Sequence, residues 1–176
     1  MLASARYMPR GGAGIALASL MVLGGCNMHR EGALRSDLSA WFQLGDTLAF
    51  ESRRNCTAAV FRARNNSVSP DLALTASPPD AQDVYRTTGL AAIAASGASP
   101  HDLTDAMLLT PDGAFGKQAL AAAALVGPCL DTTLAAEFGN AMTRRGALLA
   151  YSAELGGVMV LDHDARKLFF AAGDPL

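Results

Sequence analysis

ALLAYSAELGGVMVLDHDARKLFFAA, residues 147–172, is the stretch that decides the fold class. It holds three runs rich in strand formers, Ala147–Glu154, Val158–Leu161 and Leu168–Ala172. Gly156-Gly157 is a hairpin signal between the first two. Asp162-His163-Asp164-Ala165-Arg166-Lys167 is a longer polar turn between the second and third. Strands joined by short turns run antiparallel, so this stretch predicts a three-strand meander.

Upstream of the meander the chain reads as helical. Asp131 caps a helix that runs to Arg144-Arg145, whose charges suit a helix C-terminus, and Gly146 ends it. Gln118 to Val126 is almost all Ala, Leu and Val; it is apolar all round and so buried, and Gly127-Pro128 breaks it. Ser99-Pro100-His101-Asp102 starts a helix that ends near Thr110. Thr110-Pro111-Asp112-Gly113 is a turn or the opening of the next helix. Ser77, Pro78 and Pro79 open a helix that runs to about Ala95.

A second strand region precedes that block. Thr47–Arg53 and Thr57–Arg64 alternate as strands about the polar break Arg54-Asn55, which suggests a hairpin. Leu48 and Phe50 share one face of the first strand, with Glu51 and Arg53 on the other. The Arg-rich ends suit a sheet edge. Asn65 to Pro79 reads as irregular. Earlier still, Leu34, Leu38, Trp41 and Phe42 lie on one face of a helix through Phe42, with Gly45 as its stop. The sum is an α+β fold: one antiparallel sheet of about five strands, from the N-terminal hairpin and the C-terminal meander, with a helical block on one face.

The first 26 residues carry a separate message. Arg6 and Arg10 precede 13 uncharged, mostly apolar residues, Gly11 to Leu23, and then Gly24-Gly25-Cys26. A spanning helix needs about 20 apolar residues. A positive segment, a short apolar run and small residues before the cut mark a secretory signal. Leu23-Gly24-Gly25-Cys26 resembles the lipobox of bacterial lipoproteins, an aliphatic residue, two small residues and then Cys. The resemblance implies cleavage before Cys26 and lipidation of its sulfur. Stable anchoring needs more than one acyl chain, and the family carries two or three. Asn27 follows the cysteine where Asp would retain the protein at the inner membrane. The resemblance therefore implies an outer-membrane protein facing the periplasm. It divides the chain into a signal peptide (1–25), a lipidated polar tether (26–32) and one periplasmic domain (33–176).

Of the 176 residues, 14 are basic and 16 acidic. Loss of residues 1–25 removes two arginines and no acid, leaving a mild net charge of −4. That balance argues against a nucleic-acid partner, which requires a basic face. The cysteine count is odd, at three. With Cys26 lipidated, Cys56 and Cys129 remain as one pair, which an oxidising periplasm favours as a disulfide over two separate buried thiols. Both stand beside turn signals, so a bridge would pin a strand end to a helix end.

Candidate chemistry is sparse. His101 and Asp105 share a helix face beside Asp102, and Asp162-His163-Asp164 crowds a turn. Each set fits ordinary capping and turn chemistry as well as a site, and neither has the three or four ligands of a metal centre. No nucleophile elbow, phosphate loop, metalloprotease His pair or zinc spacing is present, so no cofactor or metal is expected. Arg53, Arg54, Arg62 and Arg64 form the only basic cluster, a candidate patch for an anionic envelope polymer or an envelope protein. The functional expectation is a lipid-anchored envelope protein that binds or scaffolds a partner without catalysis. The alternative is a small envelope hydrolase using His101 or His163 with neighbouring carboxylates.

Overall fold

The computed structural model describes residues 27–174. Residues 1–26, on which the expected signal peptide and the lipidation of Cys26 fall, lie outside the described residues. The meander forms as read: β5 (Leu148–Ser152), β6 (Gly157–Asp162) and β7 (Lys167–Gly173) pair antiparallel in sequence. The hairpin also forms, but both arms are longer than their alternation suggested. β1 spans Phe42–Ser52 and β2 spans Cys56–Val68. β2 pairs with β7 along Cys56–Arg62, which joins hairpin to meander in one antiparallel block of five strands.

Two further strands enlarge the sheet to seven, in the order β1-β2-β7-β6-β5-β4-β3. β4 (Leu90–Ile93) pairs antiparallel with β5, and β3 (Leu74–Thr75) pairs parallel with β4, so the sheet is mixed. The sequence pattern points to irregular chain for β3 and to helix for β4. The helix opened by Ser77 stops at Thr88, not near Ala95, because Gly89 turns left-handed (φ 71°) and donates its N–H to Tyr85 O. The chain then runs as β4 through residues whose composition is helical, Leu90-Ala91-Ala92-Ile93. Pairing with β5 satisfies their backbone, and tertiary context overrides propensity.

The first helix is also shorter than expected. α1 covers Glu31–Ser39, and Phe42 already belongs to β1. Phe42 and Leu44 alternate into the core, a strand period that the helical spacing of Leu34, Leu38, Trp41 and Phe42 had masked. Gly45 stops nothing. It is buried in β1, where a Cβ would meet Arg62 Cβ at 3.2 Å. β1 slips register three times between Phe42 and Ala49, and such bulges bend a strand. One slip sets Leu48 and Ala49 together against Val60, so Leu48 does not share a face with Phe50. Of the hairpin, only β1 is an edge strand; β2, with Arg62 and Arg64, is interior.

Helices cover the sheet from both sides. α2 (Pro78–Thr88), α3 (Pro100–Leu108), α4 (Ala114–Leu125) and α5 (Thr132–Thr143) share one core with Val60, Leu149, Val158, Val160 and Phe169. α1 packs on the other face, where Leu34 and Leu38 meet Phe61, Met159, Leu161 and Phe170. The single-faced helical block is thus corrected by α1, whose Arg35 donates to Thr47 Oγ1 and Gly45 O and lies over the Phe61 ring. Burying each such Leu or Phe contributes about 1.5–3 kcal/mol.

The helix starts follow their sequence signals. Ser99 and Asp102 form a reciprocal capping box, and Asp131 accepts from Leu134 N–H at 2.7 Å. α4 has Gly113 at its cap and no side-chain cap of its own; Gln82 of α2 accepts from Phe115 N–H at 3.0 Å instead. Cys56 and Cys129 form a disulfide with Cα atoms 5.9 Å apart. It joins the start of β2 to the 3₁₀ turn Gly127–Cys129, a strand end to a helical connection.

Candidate functional site

The residues after Cys26 are not a free tether. Met28 donates its N–H to Arg53 O at 2.7 Å, at the end of the β1–β2 hairpin. His29 donates its N–H to Ser52 Oγ at 3.1 Å. Its ring then bridges two further elements, with Nδ1 3.0 Å from Thr57 Oγ1 and Nε2 3.1 Å from Leu155 O. A carbonyl only accepts, so Nε2 carries the proton and Nδ1 accepts from Thr57. Ser52 Oγ lies 2.8 Å from Thr57 Oγ1 and donates to it, which closes the circuit back to the His29 backbone. The ring also stands edge-on to Phe170, centroids 5.3 Å apart. Burial holds its pKa below the ordinary value, outweighing the opposing effects of the Leu155 carbonyl and the Asp37 charge. The tether reading of 26–32 therefore gives way to a clasp at Met28–His29, and α1 begins at Glu31.

The four arginines of the basic cluster separate into two pairs. Arg53 and Arg54 sit at the hairpin turn, beside the clasp. Arg62 and Arg64 lie two apart on β2, and six residues separate Cys56 from Arg62, about 20 Å along a strand. Arg53 Nε lies 3.1 Å from Glu51, and Arg62 Nε lies 3.8 Å from Asp46. Among the described residues neither Arg54 nor Arg64 forms an ion pair.

Arg53 and Arg62 mark the ends of one groove. Two adjoining hollows of about 400 Å³ each run between β1 and the start of α5, and share Ala49, Asp131 and Leu134. The bulge that turns Leu48 to this side leaves it 41% exposed. Lys167 and Glu137, 2.8 Å apart, close the far end. Apolar side chains (Leu48, Ala49, Leu130, Leu134) and the carboxylate of Asp131 line the groove together, and its ends hold cations that each face a carboxylate.

The two histidine sets are occupied differently. His101 is exposed and stands 3.8 Å from Asp105. Asp102 belongs to the capping box, where the Ser99 N–H and then the Ser99 hydroxyl hold its pKa low. In the β6–β7 turn, Asp162 accepts from Arg144 Nε at 2.8 Å and from the N–H groups of Asp164 and Ala165. Arg144 also reaches Asp164 at 3.3 Å. Both carboxylates beside His163 are thus spent on one arginine and one turn. Among the described residues neither His101 nor His163 is hydrogen-bonded to a hydroxyl or thiol, and no group of three His, Cys, Asp or Glu could hold a metal.

His29, Ser52 and Thr57 escaped the sequence reading because 28 positions separate His29 from Thr57, and 126 separate it from Leu155. No local pattern encodes that meeting. Arg144 did carry a signal, as a helix-terminal cation, but its partner lies 18 positions on, at the end of β6. Among the described residues no helix is long and apolar enough to cross a membrane. No protein-family model, curated protein or solved structure matches this chain.

Proposed function

We propose that this is a lipid-anchored envelope protein of the outer membrane, facing the periplasm, whose domain binds a partner without catalysis. The observation that carries the reading is Leu23-Gly24-Gly25-Cys26 at the end of a short positive-then-apolar segment. The Cys56–Cys129 disulfide is in keeping with an oxidising compartment. The binding surface in this reading is the groove between β1 and α5. Its mixed apolar and charged lining suits a protein segment of mixed character better than a polyanion, which would meet Asp131, Glu51, Asp46 and Glu137 along with the arginines.

Metabolic labelling with a clickable fatty acid tests the anchor. The wild type takes up label and Cys26→Ser does not; equal labelling of the two contradicts the reading. A photo-crosslinking residue at Leu48 tests the groove in the same cells. It should trap one discrete envelope protein that the same residue at Ala165, in the β6–β7 turn, does not.

A further inference from the structure

The clasp has a geometric consequence for a chain anchored at Cys26. One residue, Asn27, separates Cys26 from Met28, so two peptide units span at most about 7 Å between them. Met28 is held by Arg53 O, and His29 by Ser52, Thr57 and Leu155. A lipid carried on Cys26 would therefore be held to one end of the sheet. That end carries the β1–β2 turn and the β5–β6 turn, Ala153 to Gly156, which the Leu155 carbonyl ties to the clasp. The β6–β7 turn lies at the opposite end, because β7 runs antiparallel to β2 with Lys167 against Arg62 and Gly173 against Cys56. Six residues of β7 separate the two ends, about 20 Å.

We infer that the domain is seated directly on its own bilayer, with the β1–β2 and β5–β6 turns in the headgroup layer and the β6–β7 turn pointing away. This rests on the lipid-anchor reading of Cys26. The headgroup layer is about 5–7 Å deep on each side of the hydrocarbon, comparable to the whole reach of the free chain. A longer free tether would let the domain tumble; a clasp at the second residue after the anchor does not. Charge is not what holds this end down. Arg53 is paired with Glu51, and Glu154 and Asp174 stand nearby as exposed acids, so Arg54 faces no net basic surface. The orientation is set by covalent reach and the His29 circuit. It also brings the Arg53 end of the groove next to the lipid surface, so a partner must approach along the membrane or from the Arg62 end.

Fluorescence quenching on the full chain, processed in bacterial cells and reconstituted in phosphatidylethanolamine–phosphatidylglycerol vesicles, tests the inference. Glu154→Cys and Ala165→Cys variants carry an environment-sensitive fluorophore, and a fraction of the lipid carries a headgroup nitroxide. Mass analysis of each preparation first establishes whether Cys26 bears lipid. Quenching should be at least about threefold stronger at 154 than at 165, given a separation of about 20 Å. Insertion of a twelve-residue Gly/Ser segment between Asn27 and Met28 should bring the two values together. Lipidated protein with equal quenching at both sites overturns the seating and leaves the anchor standing. A difference that survives the insertion means that the turns bind lipid themselves, and overturns covalent reach as the cause. Protein without lipid on Cys26 overturns both the anchor reading and the seating.

Discussion

At the scale of single residues, His29 is the side chain whose protonation state matters most. Its ring must stay neutral to accept from Thr57 and donate to Leu155 at once. Burial lowers its pKa in the folded protein, while the unfolded chain takes up a proton near pH 6.5. Below that value the unfolded state binds more protons, so stability falls as pH falls; it is fully present at neutral pH and above. The loss levels off once the folded ring also titrates. Amide exchange at Met28 and His29 checks this. Protection, corrected for the intrinsic rate, should drop between about pH 7.5 and about pH 5.5 in the wild type and be low at both in His29→Ala. Unchanged wild-type protection would contradict it. Asp162 offers a second prediction at this scale. It is 3% exposed and accepts from Arg144 and two backbone N–H groups. Asp162→Ala should cost about 2–3 kcal/mol in denaturant unfolding, since bonds to charged groups carry more than neutral ones. Little of this was legible: the acids of the 162–164 turn were visible, but the arginine that engages them lies 18 positions upstream.

Among elements, α3 and α4 approach closely at Gly116. A Cβ on Gly116 would meet Leu108 N at 2.8 Å and Thr104 O at 3.0 Å, both backbone atoms of the facing helix. Gly116→Ala must push the helices apart and should cost about 1–3 kcal/mol, read as a lower unfolding midpoint with no change in slope. The disulfide is the other element-level staple. Replacing Cys56 and Cys129 by Ala opens a loop of 73 positions, for which the chain-entropy model gives about 4 kcal/mol. A loss under about 1 kcal/mol would mean that the bridge adds nothing to a preorganised contact. Element type was legible where caps and period agreed: Ser99 and Asp131 cap where expected, and the β5–β6 hairpin forms, although its turn is Ala153 to Gly156 and Gly157 already belongs to β6. It failed where one residue reset the chain. Gly89 ends α2 early and frees Leu90–Ile93 for the sheet, although their alanines read as helix. Trp41 and Phe42 satisfy a helix face with Leu34 and Leu38, yet Phe42 and Leu44 pair as strand with β2.

For the whole molecule, the five strands recognisable in the sequence form the continuous antiparallel block, and the two missed ones extend it beyond β5. The layering was only half legible, because α1 covers the face opposite the other four helices and nothing in its amphipathic stripe says which face of the sheet it meets. The groove was not legible at all: it depends on a bulge at Leu48–Ala49 and on where α5 starts above the hairpin. Its ends do hold Arg53 and Arg62, two of the four arginines that the sequence singles out. The proposed anchor would make these parts one account: a clasp at Met28–His29, a sheet end on the bilayer and a groove that opens beside it. The measurement that tests it most directly is the intact mass of the protein recovered from bacterial envelopes. The account predicts a polypeptide that begins at Cys26 and carries a diacylglyceryl group on its sulfur. A chain with an unmodified Cys26, or one still beginning at Met1, would contradict it.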